Sequence, residues 1–265
     1  MQFNKLDAMM RVYETAHDYS VLPEIYMVAR LDGRNFTSLT KEKHQFKAPY
    51  DEKFRDYMLA TVEHLMFCGF DIIYGYTQSD EISLLLDLAT DTFNRKLRKL
   101  NSVLASEASA KFSLLLGDMG CFDCRISQLP NITLVVDYFR WRQQDAYRNS
   151  LSSHAYWCLR RDNKTARKAT SMMNGLSQAD KNELLFQYGI NFNDLPTWEK
   201  RGVGLYWEEY QKIGHNPITK EDTVATRRRI KRDLDLPMKD RYSEFIRELL
   251  ESEQSTTSHI RRCIL

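Results

Sequence analysis

The chain lacks the residue excesses that mark special scaffolds. Its 265 residues hold five cysteines: Cys68, Cys121, Cys124, Cys158 and Cys263. That number is odd and the spacing irregular, which excludes a disulfide framework and points to a reduced, cytoplasmic setting. Six prolines and ten glycines are too few for a collagen-like or linker-rich chain. No segment approaches the roughly 18 consecutive apolar residues of a membrane span, so no membrane partner is expected. The opening MQFNKLDAMMRVYETAHDY has no apolar core of a signal peptide. The ending Arg262-Cys263-Ile264-Leu265 is not a prenylation box, because its cysteine is third from the end. One-sided charge is also missing. Lys and Arg number 38 against 36 Asp and Glu, a net charge of +2, which excludes bulk neutralisation of nucleic acid and leaves room for a local basic groove.

What is present is an ordinary globular mix, 43% apolar and 28% charged, enough for one large domain or two small ones with a real core. The helical period places Leu6, Met9, Met10, Tyr13 and Ala16 on one face of a helix over 5–18, closed by Pro23. Glu24–Leu31 reads as a first strand ending before Asp32-Gly33, and 34–50 as a loop. Tyr50–Cys68 reads as a helix stopped by Gly69. Phe70–Tyr76 and Glu81–Leu88 read as a hairpin around a polar turn at 77–80. Thr92–Leu116 reads as a long helix and Phe122–Ser127 as a fourth strand, with a further possible strand at Asn131–Tyr138. Helices are expected over 138–161, 164–176 and 177–188, a strand-like piece at 202–207, a polar basic segment after 214, and a loose final dozen residues.

The first-half order β-α-β-β-α-β is the ferredoxin-like pattern, an α+β antiparallel sheet in order 4-1-3-2. Strand three then runs antiparallel to strand one. Asp32, just past one strand, meets Asp80 and Glu81 at the start of the other. Carboxylates gathered at one sheet end repel, and a divalent cation relieves the repulsion; Mg²⁺ favours carboxylates, backbone carbonyls and substrate phosphates. A pair of such ions can activate a hydroxyl and stabilise a leaving phosphate oxygen. Gly33 lets its carbonyl approach a metal unobstructed. The plainer alternative is two unrelated turns. Arg95, Lys96, Arg98 and Lys99 share a basic helix start, either a phosphate contact or a solvated face. Arg34 and Lys47 lie in the loop after Asp32 and are also candidates for phosphate.

Four motifs in order, Arg30-Leu31-Asp32-Gly33-Arg34-Asn35-Phe36, Gln78-Ser79-Asp80-Glu81, Trp141-Arg142-Gln143 and Asp180-Lys181-Asn182-Glu183, resemble the tRNA(His) guanylyltransferase family from about residue 5 to residue 210. The resemblance implies a ferredoxin-like polymerase palm over 1–137 and a largely helical tRNA-binding and oligomerisation region over 138–265. It implies two Mg²⁺ ions on Asp32, Asp80 and the Gly33 carbonyl, with Glu81 in support. Asn35, Phe36 and Ser79 would surround the nucleotide. The implied chemistry is nucleotide addition to the 5′ end of tRNA. ATP first adenylylates a 5′-monophosphate; the 3′-hydroxyl of GTP or another nucleoside triphosphate then displaces AMP. Trp141, Arg142, Gln143, Asn149, Lys181 and Asn182 would contact tRNA, in a homotetramer.

Two stretches depart from the family pattern. Phe46-Lys47-Ala48-Pro49 carries its lysine one position earlier than the family's Phe-x-Lys-Pro, and Tyr147-Arg148-Asn149-Ser150 replaces His-Ile-Asn-Asn. The second departure points to the guanylyltransferase-like branch, which repairs 5′-truncated tRNA against the opposite strand. The alternatives are a dedicated tRNA(His) G-adding enzyme, a palm-type nucleotide cyclase and a non-catalytic tRNA-binding protein. Weaker signals are the zinc-like spacing of Cys121 and Cys124, the i,i+4 pair His154 and Cys158, four tryptophans (Trp141, Trp157, Trp198, Trp207) suited to core or to base stacking, and a basic run at 227–232 including Arg228, read as an RNA-phosphate arm, a solvated face or an intersubunit contact.

Overall fold

The computed structural model describes residues 2–215 and 222–262, and Cys263 lies outside them. A first helix, α1 (Phe3–Thr15), precedes β1 (Tyr26–Gly33), α2 (Glu52–Phe67), β2 (Ile72–Gln78), β3 (Glu81–Leu86), α3 (Leu97–Leu116) and β4 (Phe122–Leu129). These strands stand in the order β4-β1-β3-β2, the ferredoxin-like arrangement. Alternation along β1 builds a core on each face of the sheet. Met27, Ala29 and Leu31 pack under α2 and α3, where Val62, Leu65, Leu100 and Leu104 are fully buried. Tyr26 and Val28 face the other way.

That second face is covered by α4 (Ile132–Arg161) and α8 (Asp240–Arg262). The strand expected at Asn131–Tyr138 is therefore the start of a helix. Asn131 caps it by accepting the Leu134 N–H at 3.0 Å, and Val135, Val136, Tyr138 and Phe139 supply a helical stripe against the sheet. Packing of that stripe overrides the β-branched local preference. A boundary at residue 137 consequently falls inside α4. The remaining small helices are α5 (Ala166–Met173), α6 (Gln178–Gln187) and α7 (Thr197–Arg201); α6 opens with a Ser177–Asp180 capping box.

Within the polar basic segment expected after 214, residues 222–233 form a strand. Beyond α7, β5 (Val203–His215) and β6 (Asp222–Asp233) extend the sheet to β4-β1-β3-β2-β5-β6. β2 pairs β5 from Tyr74 to Thr77, whereas β5 and β6 pair from Gly204–Asp233 out to His215–Asp222, so this hairpin projects past the palm. β6 is the edge strand, and its charge discourages further strand pairing. The final residues expected to be loose are helical as far as Arg262. The apolar face of α1 buries no residue.

Candidate active site

Asp32 and Gly33 are the last residues of β1, within the strand rather than beyond it. Asp32 stands opposite Glu81 of β3 on one side and opposite Asp123 of β4 on the other. The β2–β3 turn is only Ser79-Asp80, with Ser79 left-handed at φ 57°. Such a two-residue turn aims its tip beyond the sheet end. The Gly33 N–H then donates to the Asp80 carbonyl at 3.1 Å, fixing the two acidic segments together. A Cβ on Gly33 would lie 2.6 Å from the Phe36 ring and 2.9 Å from Asp80 Cβ, so only glycine fits this cradle.

Burial pushes the Asp80 carboxyl above its usual range; the nearby Asp32 charge adds to this, and the Ser79 hydroxyl, donating at 3.1 Å, opposes it. Among the described residues no cation pairs with Asp80. Glu81 differs. Burial raises it too, but Arg142 Nε lies 2.7 Å from it and Arg30 Nε 3.8 Å. Among the described residues Asp32 and Asp80 form no ion pair, although Asp32 feels the Arg125 charge, whereas Glu81 is held by two arginines. That donor set, two carboxylates with a glycine carbonyl beside them, fits hard divalent ions such as Mg²⁺.

Two adjoining cavities open here. The smaller, about 240 Å³, is lined by Asp32, Glu81, Arg142 and Asn149 among others. The larger, about 670 Å³, extends from Ser79 and Asp80 past Lys41 and Arg55 to Trp157 and Arg160. Its cations are held against rings and carbonyls, and Arg55 also pairs with the Asp56 carboxylate at 2.9 Å. Arg55 lies 4.6 Å from the centre of the Trp198 ring, and Arg160 lies 5.8 Å from that of Trp157. Lys41 Nζ donates to the Lys47 and Pro49 carbonyls at 2.9 Å, and burial holds its pKa below the ordinary lysine value. Lys41, Arg55 and Arg160 were missed in the sequence. The spacing of Trp157 and Arg160 on one helix was the available signal.

The expected site residues divide between this place and others. Arg34 and Asn35 are exposed at the turn after Gly33, with Asn35 left-handed. Phe36 is buried in a cluster with Phe54, Phe112 and Phe122, a wall of the larger cavity. Lys47 is exposed; its main chain, not its ammonium, is engaged, through Asp51 and Lys41. The phosphate reading of 95–99 fails on position. The Arg95 guanidinium is buried and donates to the carbonyls of Val21, Ile25, Leu88 and Thr90. Val21 and Ile25 precede β1, a whole strand from Asp32. At about 3.3 Å per residue that is over 20 Å away. Lys96 and Arg98 are both paired with Asp18, and Lys99 is on the exposed side of the same remote turn.

Of the second-half residues expected to contact RNA, Arg142 and Gln143 are internal, whereas Trp141, Asn149, Asn182 and Arg228 are exposed. Arg142 is 7% exposed and spans Glu81 and Asp145, each at 2.7 Å, so it positions the palm carboxylate. Gln143 is buried and donates to the Pro237 carbonyl. Trp141 is half exposed, with Arg142 over its ring at 4.3 Å. Asn149 bonds Asp145 and faces the smaller cavity. Lys181 ties α6 to α4 through Ser152 Oγ at 3.0 Å, and Asn182 donates within its own helix. Arg228 lies over the Trp207 ring at 5.4 Å, and its neighbours Arg229 and Arg232 pair with Glu208 and Glu63.

An antiparallel palm whose hairpin tip faces a strand-end aspartate, beside a cation-lined cavity, defines a palm-type nucleotidyltransferase. A family model described as tRNAHis guanylyltransferase matches residues 7–130, and one for the C-terminal domain of the same family matches residues 133–246. The chain belongs to the tRNA(His) guanylyltransferase family. A "Probable tRNA(His) guanylyltransferase" of Drosophila melanogaster is 36% identical over 198 residues, 71% of this chain and 69% of that protein. Among solved structures, a bacterial tRNA(His) guanylyltransferase (Thg1)-like protein in complex with GTP superposes with a TM-score of 0.74 at 28% identity, over 93% of this chain and 99% of that one. Its complex with ATP gives 0.74 at 29%, over 92% and 98%.

Proposed function

We propose that this nucleotidyltransferase adds a nucleotide to the 5′ end of tRNA, with GTP joined to tRNA(His) as the reaction the named relatives favour. This replaces templated repair as the leading reading. The observation that carries the site assignment is the pair Asp32 and Asp80, which forms no ion pair among the described residues, at the Gly33 cradle. These residues would hold two Mg²⁺ ions, which when bound supply charge neutralisation at the reacting phosphates and lower the pKa of an attacking hydroxyl. Asp32 and Asp80 orient whatever cation sits there, and Gly33 keeps the approach open. Arg142 holds Glu81 out of the pair and so limits the negative charge at the reacting end. Arg55, Arg160 and Lys41 give the larger cavity the positive lining that a triphosphate needs. By the family resemblance, ATP would activate the 5′-monophosphate before the incoming 3′-hydroxyl attacks. The reading includes a cytoplasmic setting and a homotetramer.

Templated repair stands as a second reading, supported by Tyr147-Arg148-Asn149-Ser150 where the dedicated enzymes carry His-Ile-Asn-Asn. The test uses tRNA(His) and a tRNA lacking its first nucleotide, each with a labelled 5′-monophosphate, supplied with ATP, Mg²⁺ and each nucleoside triphosphate in turn. Addition of G to tRNA(His) alone supports the first reading. Extension of the truncated tRNA only by the complement of the opposite base supports the second. Extension retained after Asp80→Ala refutes the site assignment.

A further inference from the structure

Among the described residues, one group of three metal-ligating side chains converges, and it lies outside the palm's carboxylate end. His64 and Cys68 sit one turn apart at the end of α2, and Glu107 faces them from α3. Their ligand atoms all lie within 4.8 Å of one another. His64 Nε2 and Glu107 Oε2 are 2.7 Å apart, and the Cys68 thiol donates to the Leu65 carbonyl at 3.4 Å. All three are half-buried, so the cluster is shaped by packing yet reachable from solvent. α2 begins beside the larger cavity, at Phe54 and Arg55, and His64 is nine residues further on, about 14 Å along the axis.

We infer that His64, Cys68 and Glu107 form a second metal site, selective for a borderline-soft divalent ion of the Zn²⁺ class. One imidazole nitrogen, one thiolate and one carboxylate oxygen are Zn²⁺ ligands, and water completes the tetrahedron on the solvent side. A thiolate is a poor ligand for Mg²⁺, so the site discriminates against the ion suited to the palm. The three atoms lie within 4.8 Å of one another; metal entry opens the His64–Glu107 hydrogen bond and frees the Cys68 thiol from the Leu65 carbonyl. Metal-free, burial and the Glu107 charge push the Cys68 thiol up to about 11, so it is a thiol at neutral pH. A cation reverses both effects, and uptake releases the thiol proton to water. The bound ion pins the end of α2 to the middle of α3 on the face away from α4.

The test uses the tag-free full chain, stripped with chelator and titrated with Co²⁺ and Zn²⁺. A thiolate-to-cobalt charge-transfer band saturating at one equivalent is expected; it is absent after Cys68→Ser or His64→Gln and retained after Cys121→Ser. Zn²⁺ should displace the Co²⁺ and protect Cys68 from alkylation, read by peptide mass spectrometry. Co²⁺ at Asp32 and Asp80 gives no thiolate band, so the palm site cannot mimic this result. No band in the unaltered protein, or a band that survives Cys68→Ser, overturns the inference and leaves an interhelical His–Glu hydrogen bond beside a packed thiol. Cys68→Ser is nearly isosteric, and the unaltered protein alone decides the negative outcome even if the variants fold poorly.

Discussion

Replacing Gly33 by alanine is the sharpest test of the cradle. The new Cβ would meet the Phe36 ring at 2.6 Å and Asp80 Cβ at 2.9 Å, where ordinary contact begins at 3.4 Å. Something must move by about 0.8 Å or 0.5 Å respectively, the differences from that contact distance. Phe36 cannot easily retreat. It is 2% exposed and ringed by Phe54, Phe112 and Phe122 at centroid distances from 4.9 to 6.2 Å. Asp80 sits on a two-residue turn and yields more readily, which displaces the carboxylate from its partner Asp32. Overpacking of this kind costs about 1–3 kcal/mol. In a chain of this size that is a fall in Tm of roughly 2–10 °C. Misplacement of a reacting group approaching 1 Å costs on the order of 100-fold in rate. The expected result is a Gly33→Ala protein that folds, melts a few degrees lower and loses about 10–100-fold in kcat/KM for 5′ nucleotide addition. Adding Phe36→Leu, which makes room on one side, should recover part of the Tm, and the two changes should be non-additive by about 0.5–3 kcal/mol. Unchanged Tm and unchanged kcat/KM in the single variant would refute the cradle.

Three further outcomes follow from the charges. Asp80→Asn should remove activity yet raise Tm at neutral pH. The Asp80 carboxyl is raised above its unfolded value of 3.8, so the folded chain holds its proton more tightly, and stability falls as pH rises from 3.8 through the raised value. The Tm advantage of Asp80→Asn should therefore shrink as the pH is lowered towards 3.8, and Mg²⁺ should raise the Tm of the unaltered protein more than that of the variant. An advantage independent of pH would sink this account. Arg142→Ala leaves Glu81 with Arg30 at 3.8 Å and Asp145 with Arg148 at 2.7 Å; fully breaking a buried pair costs about 3–5 kcal/mol, so thermal melting should show a loss below that range that Arg142→Lys only partly restores. Arg95→Lys should lower Tm, because four carbonyls lose a fitted guanidinium, while the KM for nucleoside triphosphate stays unchanged. A raised KM with normal Tm would return Arg95 to the phosphate.

The sequence by itself determined the palm and its acidic end. Short apolar runs in β1 and β3, a helical period in α2 and α3, and a polar turn give a β-α-β-β-α-β order, and antiparallel pairing then brings Asp32 to Glu81 with Asp80 at the tip. Local patterning suffices there because strands buried on both faces read as apolar runs and the helices between them bury one stripe each. Tertiary structure decided the rest. Val135 and Val136 read as strand, but the open sheet face rewards a helical stripe and Asn131 caps it. The basic run 227–232 reads as an RNA-phosphate arm, a solvated face or an intersubunit contact, since an edge strand needs no apolar alternation, and only pairing with β5 reveals the strand. Arg95 and Arg142 carry the same charge as a phosphate ligand. What separates them is their partners, four carbonyls for one and two carboxylates for the other, of which Val21 and Ile25 for Arg95 and Glu81 for Arg142 come from segments distant in sequence. The type of a side chain is written locally, but its partner is set by the fold, and the partner determines whether a charge faces substrate or holds the protein together.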